Sequence, residues 1–167
     1  DAHFLSQNNL EIIELYFDNN KKVGLLSFRS FWDLQAPSSI ETNEKAHRVQ
    51  SFGAVGFAIR KSAWEAIPNL LEWFVFYGEE NYMSFQLYLK SWEIHYLPKV
   101  LVHHRVNIKS RKKNKDYRIR LRRSLRSGWY VYILFYPFEK IPRIFLYTLW
   151  IQVKKKTFKG DIKATIA

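Results

Sequence analysis

The chain has 167 residues, the length of one ordinary domain and too short for two large hydrophobic cores. At 47% hydrophobic and 25% charged residues it excludes a disordered or low-complexity polymer, and the absence of cysteine excludes disulfide staples, thiolate metal sites and cysteine nucleophiles. Lys and Arg number 27 against 15 Asp and Glu, a formal +12 of the kind that faces nucleic acid, anionic lipid or an anionic substrate. In chain order, Ser6 or Asn8 can cap a helix whose apolar positions Leu10, Ile13 and Phe17, with Ile12, Leu15 and Tyr16, recur at helical spacing until Asn19 and Asn20 stop it. Val23 to Phe28 reads as a buried strand, and the polar stretch Asp33 to Gln50, which contains Pro37 and two serines, as a long surface loop. A second strand is expected over Phe52 to Ile59. Ser62 and Glu65 have the spacing of a capping box for a short helix ending before Pro68. Glu79 to Ser91 is expected to be helical, with Met83, Leu87 and Lys90 in register, and strand signals return at Glu93 to Tyr96 and Val100 to Val102. No internal repeat is visible, and the alternation of elements predicts a mixed α/β fold.

The charge is polarised. Residues 1–104 hold nine Lys/Arg and 12 Asp/Glu, whereas residues 105–167 hold 18 Lys/Arg and three Asp/Glu, so the whole excess lies in the C-terminal third. There the basic run Lys109 to Arg126 abuts an aromatic and aliphatic run from Trp129 to Val153. Pro137, Glu139, Lys140, Pro142 and Arg143 interrupt the second run before a membrane span accumulates, which predicts two short helices lying in an interface. The aromatic neighbours favour an anionic membrane surface over nucleic acid, for which no RNA-binding motif is present, and a solvated basic surface is the plain alternative. Trp129, Tyr130 and Trp150 are the expected insertion residues, and Arg122 and Arg123 the expected lipid-facing cations. The expected division is therefore residues 1–104 and a membrane-associating tail, 105–167, on a protein peripheral to the inner face of the plasma membrane in the cytoplasm. No signal peptide opens the chain, and a start at Asp1 without Met is what a mature or excised fragment would show.

The stretch SFGAVGFAIRKSAWEAI followed by FVFYGEENYMSFQLYLKSWEIHYLPKVLVHH resembles the C-terminal half of family 2 glycosyltransferases of the GT-A fold, most closely the rhamnosyltransferase-like branch. Gly53-Ala54, Arg60-Lys61, Tyr77-Gly78-Glu79-Glu80, Tyr96, Pro98 and His104 follow in the family's order, and the segment from Ser127 onward resembles its amphipathic tail. The resemblance implies a truncated GT-A domain lacking the nucleotide-binding half, with a mixed sheet, flanking helices and a helical tail. It implies an inverting transfer of a sugar from a nucleotide-diphosphate donor to a hydroxyl of a glycan or lipid-linked acceptor, in cell-surface polysaccharide synthesis. Inverting transfer requires a carboxylate to take the acceptor proton, a role the resemblance gives to Glu80 beside Glu79. It gives Asp1 and His104 to a divalent cation, Mn²⁺ or Mg²⁺, held with the diphosphate. Trp73, Tyr77, Gly53 and Arg60 are implied on the substrate side, where the aromatic set Trp73, Phe74, Phe76 and Tyr77 otherwise serves packing. Asp1-Ala2-His3 stands where the family has an acidic D-x-D motif: either Asp1 is the last acid of that cluster or Asp1 and His3 replace its two acids. Asn81-Tyr82 and Gln86 stand where the family usually has an apolar residue, an Asp and an Arg, and Glu80 where it usually has Asp. His103 is expected to be structural, and His3, His47 and His95 surface or core residues. The other reading is a non-catalytic basic and aromatic module that binds anionic membrane or nucleic acid.

Overall fold

Val23–Trp32 (β2) and Glu93–His104 (β5) run parallel, and their pairing is the spine of the fold in this computed structural model, which describes residues 1–74, 77–107 and 117–154. Two parallel neighbours need a crossover, and residues 33–92 supply it through β3 (His47–Val49), β4 (Phe57–Ile59), α2 (Lys61–Glu65) and α3 (Glu79–Leu89). The five-stranded sheet has the order β1-β5-β2-β4, where β1 (Ala2–Phe4) pairs antiparallel with the C-terminal end of β5. β3 pairs antiparallel with residues 94–96 of β5, so the segment expected as loop from Asp33 to Gln50 ends in a short strand. The mixed α/β expectation is met by this curled mixed sheet flanked by helices.

Each face of the β2–β5 pair is covered. On one side Val23, Leu26, Phe28, Leu97, Val100 and Val102 pack with Ile13 of α1 (Asn9–Asn19). On the other, Leu25 and Ile94 pack with Phe52, Ala63, Ile67, Met83 and Leu87. Burial on both faces explains why all six residues of VGLLSF at the start of β2 are buried and the run is mostly apolar rather than alternating. β2 runs four residues past the expected Phe28, and the two strand signals after Glu93 are one strand. They look separate because Pro98 sits in a bulge: Phe28 is opposite Leu97 and Arg29 opposite Leu101, which leaves Pro98 to Val100 without partners on β2. Just after the bulge the segment following β1 meets β5, since Leu5 N–H donates to the Leu101 carbonyl at 2.9 Å and Ser6 Oγ accepts from Leu101 N–H at 3.0 Å.

Three local expectations are corrected. The expected strand over Phe52 to Ile59 shortens to Phe57–Ile59, because Phe52 turns into the core while Gly53 and Ala54 stay exposed. Arg60, not Ser62, precedes the first turn of α2, and no side chain caps that helix. Asn8 does precede α1, but at φ 54 and without a side-chain cap bond.

The chain divides into two compact units, Asp1–Leu70 with Glu80–Lys112, and Leu71–Glu79 with Lys113–Ala167. In the second, α4 (Tyr117–Phe135) and α5 (Ile141–Lys154) are joined through a 3₁₀ turn at Phe138–Lys140. The helical content expected from Trp129 onward is present, and α4 also extends back into the basic run. Lys109 to Asp116 and Phe76 lie outside the described residues. Among the described residues no helix is long and apolar enough to cross a membrane.

α3 ends in a Schellman arrangement, with Trp92 N–H on the Leu87 carbonyl and Ser91 N–H on the Tyr88 carbonyl, both at 2.9 Å. Ser91 occupies the left-handed position at φ 61, where glycine fits without a Cβ penalty. Ser91→Gly is expected to stabilise the first unit by about 1 kcal/mol, measured by urea denaturation.

Candidate active site

The acidic pair opens α3. Carboxylates there are favoured by the helix dipole, which gives Glu79 and Glu80 a structural reason to stand at this end. The backbone before them is strained: Tyr77 has φ 70 and Gly78 φ 94, two consecutive left-handed residues, the first a bulky aromatic. A non-glycine residue in that region costs about 1–3 kcal/mol and persists only where its surroundings impose it, a pattern concentrated at functional sites. Packing within the second unit explains part of the constraint. A Cβ on Gly78 would lie 2.7 Å from the Ser127 Cβ and 3.1 Å from the Phe74 ring, so the chain can pass α4 here only as glycine. Trp73 and Phe74 both stand edge-on to Tyr130, with centroids 5.9 and 6.2 Å away.

Within the first unit, α3 leads through a tight turn at residues 90–92 into β5, and Leu87 packs against the strand pair. Its 11 residues, about 16 Å of helix, carry the first turn toward the C-terminal ends of the parallel strands. Open α/β sheets bind ligands outside such ends. Ser51 Oγ meets Asn81 Oδ1 at 3.3 Å, placing the 51–53 segment against the first turn of α3, and Glu80 holds Ser84 Oγ on its backbone carbonyl at 2.6 Å. Gly53 is exposed, with no atom within 4 Å of where a Cβ would sit. Tyr82, standing where the resembled family usually has Asp, is 3% exposed and belongs to the core.

The ladder between β1 and β5 sets Ala2 opposite His104, so Asp1 falls beside Arg105. The Arg105 N–H donates to the Asp1 carbonyl at 3.0 Å and its guanidinium meets the Asp1 carboxylate at 3.3 Å. Both side chains are exposed, and such a pair contributes about 0–1 kcal/mol. The His104 ring packs on Trp32 at 4.5 Å. His103 is buried, and its Nε2 contacts the Asp33 carbonyl at 2.9 Å where β2 ends. Among the described residues no three His, Asp or Glu side chains converge as a metal site. The expected ligand pair is not brought together: Ala2 stands opposite His104 and shares its face of the sheet, so Asp1, one residue earlier, projects to the other face with Arg105. Next to β1 a pocket of about 260 Å³ is floored by Phe28 and Val102 and walled by His3, Phe4, Ala54 and Gly56. Gly56 keeps that wall close to the sheet, since a Cβ there would lie 2.6 Å from Val102.

Arg60 holds the end of α1: its guanidinium donates to the carbonyls of Phe17 at 2.7 Å and Val23 at 3.2 Å and lies over the Phe17 ring. In the second unit Trp129 stacks on Phe145 with centroids 4.7 Å apart and donates its indole N–H to Thr148 Oγ1 at 2.9 Å. Tyr130 carries Arg126 over its ring at 5.9 Å. Trp150 is 61% exposed, Arg123 is exposed, and Arg122 is partly buried.

One polar chain is not apparent from element spacing alone. Tyr16 Oη meets His95 Nδ1 at 2.9 Å, His95 Nε2 meets Glu93 Oε2 at 3.0 Å, and Glu93 Oε1 meets Arg48 at 3.4 Å. The i, i+2 spacing of Glu93 and His95 was the available signal, because alternate residues of a strand share a face. Burial first, then the Glu93 charge, raises the Tyr16 phenol above its ordinary pKa, and burial, then the Glu44 carboxylate, does the same at Tyr96.

Comparison with family models, with curated proteins and with solved structures gives no match for this chain.

Two outcomes are expected. Gly78→Ala should destabilise the protein by about 2 kcal/mol or more, since left-handed strain adds to the overlap with Ser127, as a drop in the denaturation midpoint would show. The folded chain holds the Tyr16 and Tyr96 protons more tightly than the unfolded chain, whose phenols ionise near 10.0. Their contribution is complete below that pH and is lost as pH rises through the raised folded values, so stability should fall on the alkaline side, with a smaller fall in Tyr96→Phe.

Proposed function

We propose that the chain is the acceptor and metal side of a GT-A glycosyltransferase related to family 2. It would transfer a sugar with inversion from a nucleotide-diphosphate donor to a hydroxyl of a glycan or lipid-linked acceptor. The observation that carries the reading is the strained Tyr77-Gly78 turn, which delivers Glu79 and Glu80 at the head of a helix directed toward the C-terminal ends of a parallel strand pair. In the proposed step the Glu80 carboxylate takes the acceptor proton as the acceptor oxygen bonds to the anomeric carbon. The bond from that carbon to the diphosphate oxygen breaks, and the electron pair leaves with the diphosphate. A divalent ion on this side would be held by Asp1 with the diphosphate oxygens, without His104, and would supply neutralisation of the charge on that leaving group.

The chain's own residues have further parts in this reading. The open pocket lined by Ala2, His3, Phe28 and Val102 has room for a single sugar ring. Gly53, bare of side chain next to Asn81, would let an acceptor approach Glu80. The Arg105 guanidinium beside Asp1 is a cation well placed for a phosphate. The same reading locates the protein as a peripheral one at the inner face of the plasma membrane, where lipid-linked acceptors are met.

Glu80→Gln keeps the side-chain shape and removes the base. In protein that transfers sugar from a radiolabelled nucleotide-sugar, turnover is expected to fall by about 10²-fold or more while donor affinity stays nearly constant. A Gln variant with full turnover would remove Glu80 from the mechanism.

A further inference from the structure

We infer that the outward face of α5, together with Phe138 at the turn, is a membrane-docking surface that inserts into an anionic bilayer, while Trp129 and Phe145 hold the helical hairpin together from inside. This deepens the location given above, but it stands on the second unit alone.

A surface helix ordinarily turns polar residues outward. α5 does not. Its Ile144, Phe145, Thr148, Leu149 and Ile151 are partly buried, whereas Arg143, Leu146, Tyr147 and Trp150, at the i, i+3, i+4, i+7 spacing of one stripe, are exposed. Leu146 is 70% exposed, Tyr147 and Trp150 61% each, and Phe138 at the turn 85%. One amphipathic tyrosine, one tryptophan and two purely apolar side chains facing water form a patch of the kind that marks an interaction surface.

Charge selects what that surface meets. Lys140 and Arg143 flank the patch, Arg123 and Arg126 are exposed on α4, and residues 105–167 as a whole carry 18 basic side chains against three acidic ones. Cations beside a Trp and Tyr stripe on an in-plane helix match a layer of anionic headgroups over acyl chains, where each Lys or Arg near the surface is attracted and the apolar stripe sinks to the acyl boundary. A nucleic acid would satisfy the cations and leave Leu146 and Phe138 in water. Among the described residues α5 has 14 residues, fewer than a membrane span needs. Trp129 serves the hairpin instead, since its ring stack on Phe145 and its bond to Thr148 are both internal to it.

The test is sedimentation of the whole chain with vesicles of phosphatidylcholine alone or mixed with phosphatidylglycerol, with an oligonucleotide arm. Wild-type protein is expected on the mixed vesicles only, and less of it at high salt. The variant Phe138→Ser/Leu146→Ser/Tyr147→Ser should keep its circular dichroism, because these side chains are the more exposed ones of the patch, and bind at least about tenfold more weakly. Arg123→Gln/Arg126→Gln should weaken binding and flatten its salt dependence. Trp129→Ala, by contrast, should lower the thermal midpoint. Equal binding to both vesicle types, unchanged binding by the folded triple variant, or displacement of the protein from vesicles by the oligonucleotide would each overturn the inference. No sugar donor enters the assay, so failure here and failure of the transfer reading are separate results.

Discussion

Parallel pairing of β2 with β5 is the constraint on which the first unit depends. Two parallel strands cannot be joined by a hairpin, and the return path must cross a face of the sheet. That path brings Phe52, Ala63, Ile67, Met83 and Leu87 onto one side of the pair, while α1 closes the other with Ile13. Because both faces are covered, the two strands are the most deeply buried part of the unit, and Leu25, Leu26 and Val100 are fully excluded from water. Each such side chain contributes about 1.5–3 kcal/mol relative to exposure, so the pair dominates the unit's apolar stabilisation.

The geometry of the proposed site follows from the same pairing. A crossover helix returns the chain to the start of β5, so it runs back along the strand pair and its first turn, with Glu80, lies further toward the strands' C-terminal ends than its last. The Pro98 bulge then shifts the register of β5 against β2 by three residues, which sets His104 opposite Trp32 and presents the other edge of β5 to β1. Asp1 is beside Arg105 only because that antiparallel ladder registers Ala2 on His104.

The second unit is organised by aromatic packing instead. Tyr130 receives Trp73 and Phe74, Ser127 sits against Gly78, and Trp129 is committed to Phe145 and Thr148. With those rings engaged and Ile144, Leu149 and Ile151 partly buried, Leu146 and Tyr147 of α5 and Phe138 at the turn are left exposed. An aromatic-rich segment thus divides into residues that build a hairpin and residues that form its outer surface.

Periodicity and composition by themselves determined the α/β class, the helix from Glu79, the buried character of Val23 to Phe28 and the polarised charge, because these depend on neighbours in the sequence. The resemblance carried by Gly53-Ala54 and Tyr77-Gly78-Glu79-Glu80 singled out the acidic pair. Tertiary structure alone decided the rest. The strand His47–Val49 exists because β5 offers it an edge, and its residues carry no strong signal of their own. Pro98 broke the strand pattern although the strand continues, since a bulge needs partners far along the chain. The positive φ at Tyr77 depends on packing around Gly78 from Ser127, 49 residues away, and Arg60 was drawn to the end of α1 by carbonyls at Phe17 and Val23. Trp129 and Trp150 look alike in sequence; which of them is covered depends on which helix face meets the other, a long-range fact that local spacing does not encode.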